Sequence, residues 1–174
     1  LLSAVNVSDP NNMSVSGAVA VLAPADGIAY SSTLSGNTAY VSYRYHVRAI
    51  DITTPSAMTE LGSISISDTA MVKKVVVKDN IVFAATRYGG LRPINFEDPA
   101  NPAFLTTVIE DRTNDVAISG NYIYAATANN GIGIVNVATA NSPTLIGYAT
   151  GSTDYSRYGE GVAAFGNTMV QRTW

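Results

Sequence analysis

Cysteine is absent from the 174 residues, and histidine occurs once, at His46. The first absence excludes disulfides and thiolate metal sites. The second leaves no pair of imidazoles at metal-ligand spacing, and nothing nominates a nucleophile and carboxylate to stand beside His46. Charge is also scarce. Asp, Glu, Lys and Arg make up 13% of the chain, about half of the ~25% usual in globular domains. Ten Lys and Arg against thirteen Asp and Glu give a net charge of −3. With no basic run, the electrostatic footprint of a nucleic-acid binder is missing. No apolar run approaches the ~18 residues of a membrane helix, and Gly17–Pro24 (GAVAVLAP) is far too short, so no membrane insertion is expected. No window carries an apolar stripe of period 3.6, so almost no helix is expected. Walker and dinucleotide glycine motifs are absent, which leaves no cofactor to predict. The acidic turns VSDPNN and EDPAN lack the dense Asp/Asn alternation of a calcium loop and read as turn caps, so no metal is predicted either.

What the chain has is a repeat. A turn, Ser35-Gly36-Asn37, recurs as Lys78-Asp79-Asn80, Ser119-Gly120-Asn121 and Phe165-Gly166-Asn167, its Asn residues spaced by 43, 41 and 46. Gly and Asn tolerate positive φ, so these are hairpin turns. A second landmark closes a strand at Asn6, Asp51, Asn95 and Asn136, at spacings of 45, 44 and 41. Two landmarks of one period establish a repeat and set the fold class. The clearest copy reads as four strands: A over Lys73–Lys78, B over Ile81–Thr86, C over Leu91–Phe96 and D over Phe104–Glu110. Gly89-Gly90 make the B–C turn, and Asp98-Pro99 open the C–D loop. Pro93 sits awkwardly inside strand C and marks a bulge or an unpaired N–H. Four antiparallel strands every ~44 residues, apolar on both faces, predict an all-β fold, a β-propeller of four-stranded blades. Expected bounds are 25–67, 68–110 and 111–151, with a composite blade from 152–174 plus 1–24.

Three segments, GNYIYAAT (Gly120–Thr127), GGLRPINFEDPANPAFLTTV (Gly89–Val108) and GIGIVNVATANSPTLIGYATG (Gly131–Gly151), resemble the LVIVD repeat of bacterial and archaeal, often exported, propeller proteins. The resemblance implies a propeller and no shared enzyme activity. No Trp-Asp or Gly-His signature appears, so WD40 is a poor match.

The repeat phase at the ends carries a further expectation. Leu1 stands just before a C strand and Trp174 just after a B strand. Adding the two positions missing between them gives four periods of 44. Leu2–Val7 are therefore expected to pair with Thr168–Thr173 and remove two exposed strand edges. Self-closure gives a four-bladed ring, exchange between two chains an eight-bladed ring, and open exchange a filament. The partner is then the chain itself, through residues 1–24 and 161–174, or a protein or glycan ligand. Starting at Leu1 without Met or signal peptide, the chain reads as a processed chain or an excerpt.

For function, one His and no Cys predict no enzyme. The rival reading is a hydrolase or lyase using Asp115 and Glu160. What remains is a rim, because B–C and D–A loops emerge together. Arg44, Tyr45, Arg87, Tyr88, Tyr155, Arg157 and Tyr158 are the candidate binding residues, being of the types that dominate recognition hot spots. The plainer account is that they cover blade ends as amphipathic side chains. Low charge and abundant hydroxyls lean toward an extracellular or cell-surface protein. The primary expectation is a non-enzymatic binding module, and the alternative is a structural subunit of a filament or oligomer joined by strand complementation.

Overall fold

The computed structural model describes residues 2–19, 28–66, 70–149, 159–166 and 168–173. They form antiparallel sheets strung along the chain. The first full blade is β3 (Ala29–Ser35), β4 (Thr38–Tyr43), β5 (His46–Asp51) and β6 (Thr59–Ser65). The second is β7 (Val72–Lys78), β8 (Ile81–Thr86), β9 (Gly90–Asn95) and β10 (Ala103–Phe104). The third is β11 (Thr113–Ser119), β12 (Tyr122–Thr127), β13 (Gly131–Asn136) and β14 (Thr144–Ala149). Each keeps the order A-B-C-D. At one end β1 (Leu2–Asn6) and β2 (Ser14–Val19) supply only strands C and D. At the other, β15 (Gly159–Phe165) and β16 (Thr168–Thr173) supply only A and B. A 3₁₀ turn at Pro55–Ala57 is the helical element among the described residues.

Why these strands stack face to face is clearest in β8. All six residues of its IVFAAT sequence are buried. Val82 and Ala84 point toward the first blade, in a cluster with Tyr40, Val47 and Ala49. Ile81, Phe83 and Ala85 point the other way, into Val116, Ile123 and Val135 of the third. A strand apolar on both faces must be covered on both, and stacking blades does that. The Tyr40 and Phe96 rings meet edge to face at 5.2 Å across the first of these interfaces.

Both sequence landmarks are turn devices. Gly36, Gly120 and Gly166 take positive φ in the A–B turns, and Asp79 and Asn80 do so in the second blade. The side chains of Asn6, Asp51, Asn95 and Asn136 each accept the backbone N–H two residues on, from Ser8, Thr53, Glu97 and Ala138, at 2.7–2.9 Å. These Asx turns start the C–D loops. The next residue then ties the landmarks together: Ile52, Phe96 and Val137 donate their N–H groups to the carbonyls of Asn37, Asn80 and Asn121 at 2.8–2.9 Å. The acidic turns cap as expected, with Asp98 accepting the Ala100 N–H and the Asn101 amide.

Strand D departs from expectation in the second blade. The sequence predicts Phe104–Glu110, whereas the ladder spans only Ala103–Phe104 before a detour that rejoins at a single Leu91–Ile109 bridge. Two causes coincide. Pro93 lacks the N–H that strand D would use, while its carbonyl still accepts from Leu105 at 3.0 Å. Its B–C pairing with Phe83 is undisturbed. The other C–D ladders shift register at the equivalent place: Ala4/Val5, Ala49/Ile50 and Ile134/Val135. The second cause is a missing glycine. A Cβ on Gly17 would clash with the Pro55 carbonyl of the next blade's C–D loop, and one on Gly62 with that of Pro99. The second blade has Thr106 and Thr107 there, and its chain swings clear of Asn141–Pro143, leaving a cavity of about 430 Å³.

The composite blade expected from pairing Leu2–Val7 with Thr168–Thr173 is not formed within the chain. Among the described residues β1 pairs with β2 and β16 with β15, and each remains a two-stranded sheet.

Candidate ligand-binding site

The A strands lie against one another from blade to blade and form the inner wall. Each carries a β-bulge at one place: between Ala29 and Ser31, Val72 and Lys74, Thr113 and Asp115, and Gly159 and Gly161. The extra residues are Tyr30, Lys73, Asn114 and Glu160. A bulge re-aims the side chain of the residue it inserts. All four line one cavity of about 550 Å³, joined by Arg87, Arg112 and Arg172. Among the described residues, four cationic side chains and one carboxylate line this cavity, in a chain whose net charge is −3.

Neighbouring contacts hold the wall in shape. Arg112 Nε donates to Asn114 Oδ1 at 3.0 Å, and Asn114 Nδ2 donates to the Gly159 carbonyl at 2.8 Å. The Lys73 ammonium lies 6.0 Å from the centre of the Tyr30 ring, and the Arg87 guanidinium 5.4 Å from that of Tyr88. Arg87 Nε is buried without a hydrogen-bond partner, an unused donor beside an anion-ready cavity.

Asp115 has a different task. An innermost strand presents N–H groups with no strand beyond to receive them. Asp115 Oδ2 accepts the N–H of Val162 from the next A strand at 2.9 Å, and Oδ1 accepts its neighbour Val116 N–H at 2.9 Å and the Lys74 ammonium at 2.8 Å. Ser31 occupies the same repeat position and accepts from Val75 at 3.4 Å. Both Asp115 oxygens are thus committed to joining blades.

The sequence-predicted rim is only partly assembled here. Arg87 lines the cavity, and Tyr88 stands beside it, 65% exposed. Arg44 stacks 5.0 Å over Tyr45 in the preceding B–C turn, outside the cavity lining. Tyr155, Arg157 and Tyr158 lie outside the described residues. In the third blade Asp111 accepts both Asn129 N–H groups and the Asn130 amide at 2.7–2.9 Å, which fixes that turn from within. His46 opens β5 with a buried Nδ1 that has no partner. Tyr30 and Arg172 were missed by sequence reasoning. A signal existed: Tyr30-Ser31, Lys73-Lys74, Asn114-Asp115 and Glu160-Gly161 recur at the period and break strand alternation by one residue.

Comparison with known proteins places this geometry in a wider setting. Residues 26–65 and 112–150 match the family model of the LVIVD repeat. Among solved structures the chain is similar to the computationally designed Ika4 protein, with 16% identity, 84% of this chain and 90% of that chain covered, and a TM-score of 0.64. It is also similar to the designed Ika8 protein, at 16% identity, with 85% and 43% covered and a TM-score of 0.63. The β-propeller domain of Cps50 (Swd1) from Myceliophteria thermophila gives 13% identity, 92% and 56% covered, and a TM-score of 0.64. The chain therefore spans nearly all of Ika4 but about half of the other two. At these identities the likeness shows the fold, a β-propeller architecture. No curated protein sequence matches the chain significantly.

Proposed function

We propose that this LVIVD-repeat β-propeller is a non-enzymatic binding module that works outside the cell and holds an acidic stretch of a protein or glycan partner against its inner wall. The observation that carries the reading is the convergence of four bulged residues, one per repeat, on a single cavity rich in Arg and Lys. Cationic forks favour carboxylate or sulfate, and Tyr30 and Tyr88 offer flat apolar surface to a sugar ring or side chain. The non-enzymatic part is supported by the commitment of Asp115 to blade joining, which leaves Glu160 as the one carboxylate among the described residues that line the cavity. An exported setting is supported by the low charge and the hydroxyl-rich composition.

The test is a screen of arrayed acidic peptides and of carboxylated or sulfated glycans with the parent and a Lys73→Ala/Arg87→Ala variant. A hydrogen bond to a charged group contributes about 1.5–3 kcal/mol, so losing two cations lowers affinity at least about a hundredfold. A variant that retains every interaction of the parent overturns the site. Turnover of any substrate that disappears in Glu160→Gln overturns the non-enzymatic reading.

A further inference from the structure

A second cavity, away from the inner wall, opens between the second and third blades. Its volume is about 430 Å³; one wall is Phe104–Val108 of the second blade and the other Asn141–Pro143 of the third. It lies on the side of the C–D loops, which begin where strand C ends, whereas the B–C turns lie at the other end of that strand. The repeat shows what is unusual here. Thr106 stands eleven residues after Asn95, as Gly17, Gly62 and Gly147 stand after Asn6, Asp51 and Asn136. Gly17 and Gly62 let the next C–D loop press its Pro55 or Pro99 carbonyl onto the strand. At Thr106 a side chain takes that space, and the loop stands off. The bend is nonetheless anchored. Leu105 donates its N–H to the Pro93 carbonyl at 3.0 Å and Val108 donates to that of Leu91 at 3.2 Å, one bond on each side of Thr106 and Thr107. A site held by its scaffold gives up little freedom when a ligand enters.

We propose that this cavity is a carbohydrate site that takes a pyranose ring of an uncharged glycan. Its lining supplies two kinds of surface. Phe104, Leu105, Val108 and Pro143 are apolar, and Phe104 is 42% exposed. Thr106, Thr107, Asn141 and Ser142 are polar and neutral, and none of their side chains has a hydrogen-bond partner among the described residues. Asn101, which holds the place of Ser142 in the preceding repeat, spends its amide on Asp98 at 2.9 Å. A pyranose matches both surfaces. Its C–H faces are apolar and lie flat on an aromatic ring. Its edge of hydroxyls donates and accepts, as do the Thr and Ser hydroxyls and the Asn amide. The volume falls within the range of about 300–1,000 Å³ of small-molecule sites. Among the described residues no charged side chain lines the cavity, so an ionic ligand would lose water without gaining a counter-charge. An added peptide strand needs a regular edge, and the ladder of strand D stops at Phe104. The site stands apart from Lys73 and Arg87 and does not rest on the inner-wall reading.

The test is titration of the parent chain with neutral trisaccharides of glucose, mannose, galactose and N-acetylglucosamine, followed by ligand-observed NMR. At least one is expected to bind, with an affinity that salt leaves unchanged because no ionic contact is involved. Binding of none overturns the proposal. The Thr106→Val/Thr107→Val variant keeps the shape and removes both hydroxyls, and is expected to bind at least about fivefold more weakly. Thr106→Ser/Thr107→Ser keeps the hydroxyls and is expected to bind like the parent, which separates lost hydrogen bonds from lost structure. A valine pair that binds like the parent, or a serine pair that fails as the valine pair does, overturns the assignment. Lys73→Ala/Arg87→Ala is expected to keep the saccharide in full, so failure of the inner-wall site leaves this one standing. Saccharide binding lost in that variant would place the sugar at the inner wall and overturn the proposal.

Discussion

Gly62 and Gly147 hold the same place in their D strands and make a matched pair for perturbation. In Gly62→Ala the new methyl lies 2.9 Å from the Pro99 carbonyl carbon and 3.1 Å from the Ala100 Cα, and clashes outright with the Pro99 carbonyl oxygen. The obstacle is backbone, so the whole loop must move. Forcing atoms into a filled site costs about 1–3 kcal/mol. Removing glycine's freedom from the unfolded chain offsets about 0.4–1 kcal/mol. The net loss is about 1–2 kcal/mol, which lowers the melting temperature by about 2–8 °C for a chain of this size. In Gly147→Ala only the second effect operates within one chain, because nothing lies within 4 Å. Its melting temperature is expected to rise by about 1–4 °C. Calorimetry of the two single variants beside the parent reads the comparison. Equal shifts for the two substitutions would refute the argument that blade-to-blade approach fixes this glycine.

Phe83→Ala removes a ring with no exposed surface between the second and third blades and is expected to cost about 3–5 kcal/mol, read from the urea midpoint at unchanged slope. Hydrogen bonds from Thr53 hold the Asp51 carboxyl below the usual aspartate value, and those from Asn101 and Ala100 do the same for Asp98. A lowered folded value means that their stabilisation is complete above the unfolded pKa and is lost as pH falls through the folded one. Asp51→Asn keeps the Asx turn, since Asn fills that place in the other repeats. It is expected to match the parent near neutrality and to show a shallower acid loss in thermal melts below about pH 4.

Strands A to C were legible because turn chemistry and two-faced apolar patterning agree there. Ile81–Thr86 of β8 matches residue for residue. The shortened β10 was not, because its cause lies in another blade: the Asn141–Pro143 loop approaches a position where this strand lacks glycine. Arg87 could be nominated from residue type alone. The cavity could not, because it depends on a bulge that turns Tyr30, Lys73, Asn114 and Glu160 inward, and strand pairing register is invisible in one copy. Only the superposed repeats reveal it, as one extra polar residue near the start of each A strand.

The binding account is tested most directly by calorimetric titration of the parent chain with tetraglutamate and, separately, with tetralysine, at low and high salt. The account predicts that the acidic peptide binds and the basic one does not. Binding should weaken as salt rises, because the contacts are ionic, and should be lost in Lys73→Ala/Arg87→Ala. Equal binding of the two peptides, or tetraglutamate binding that the double variant keeps, would contradict it.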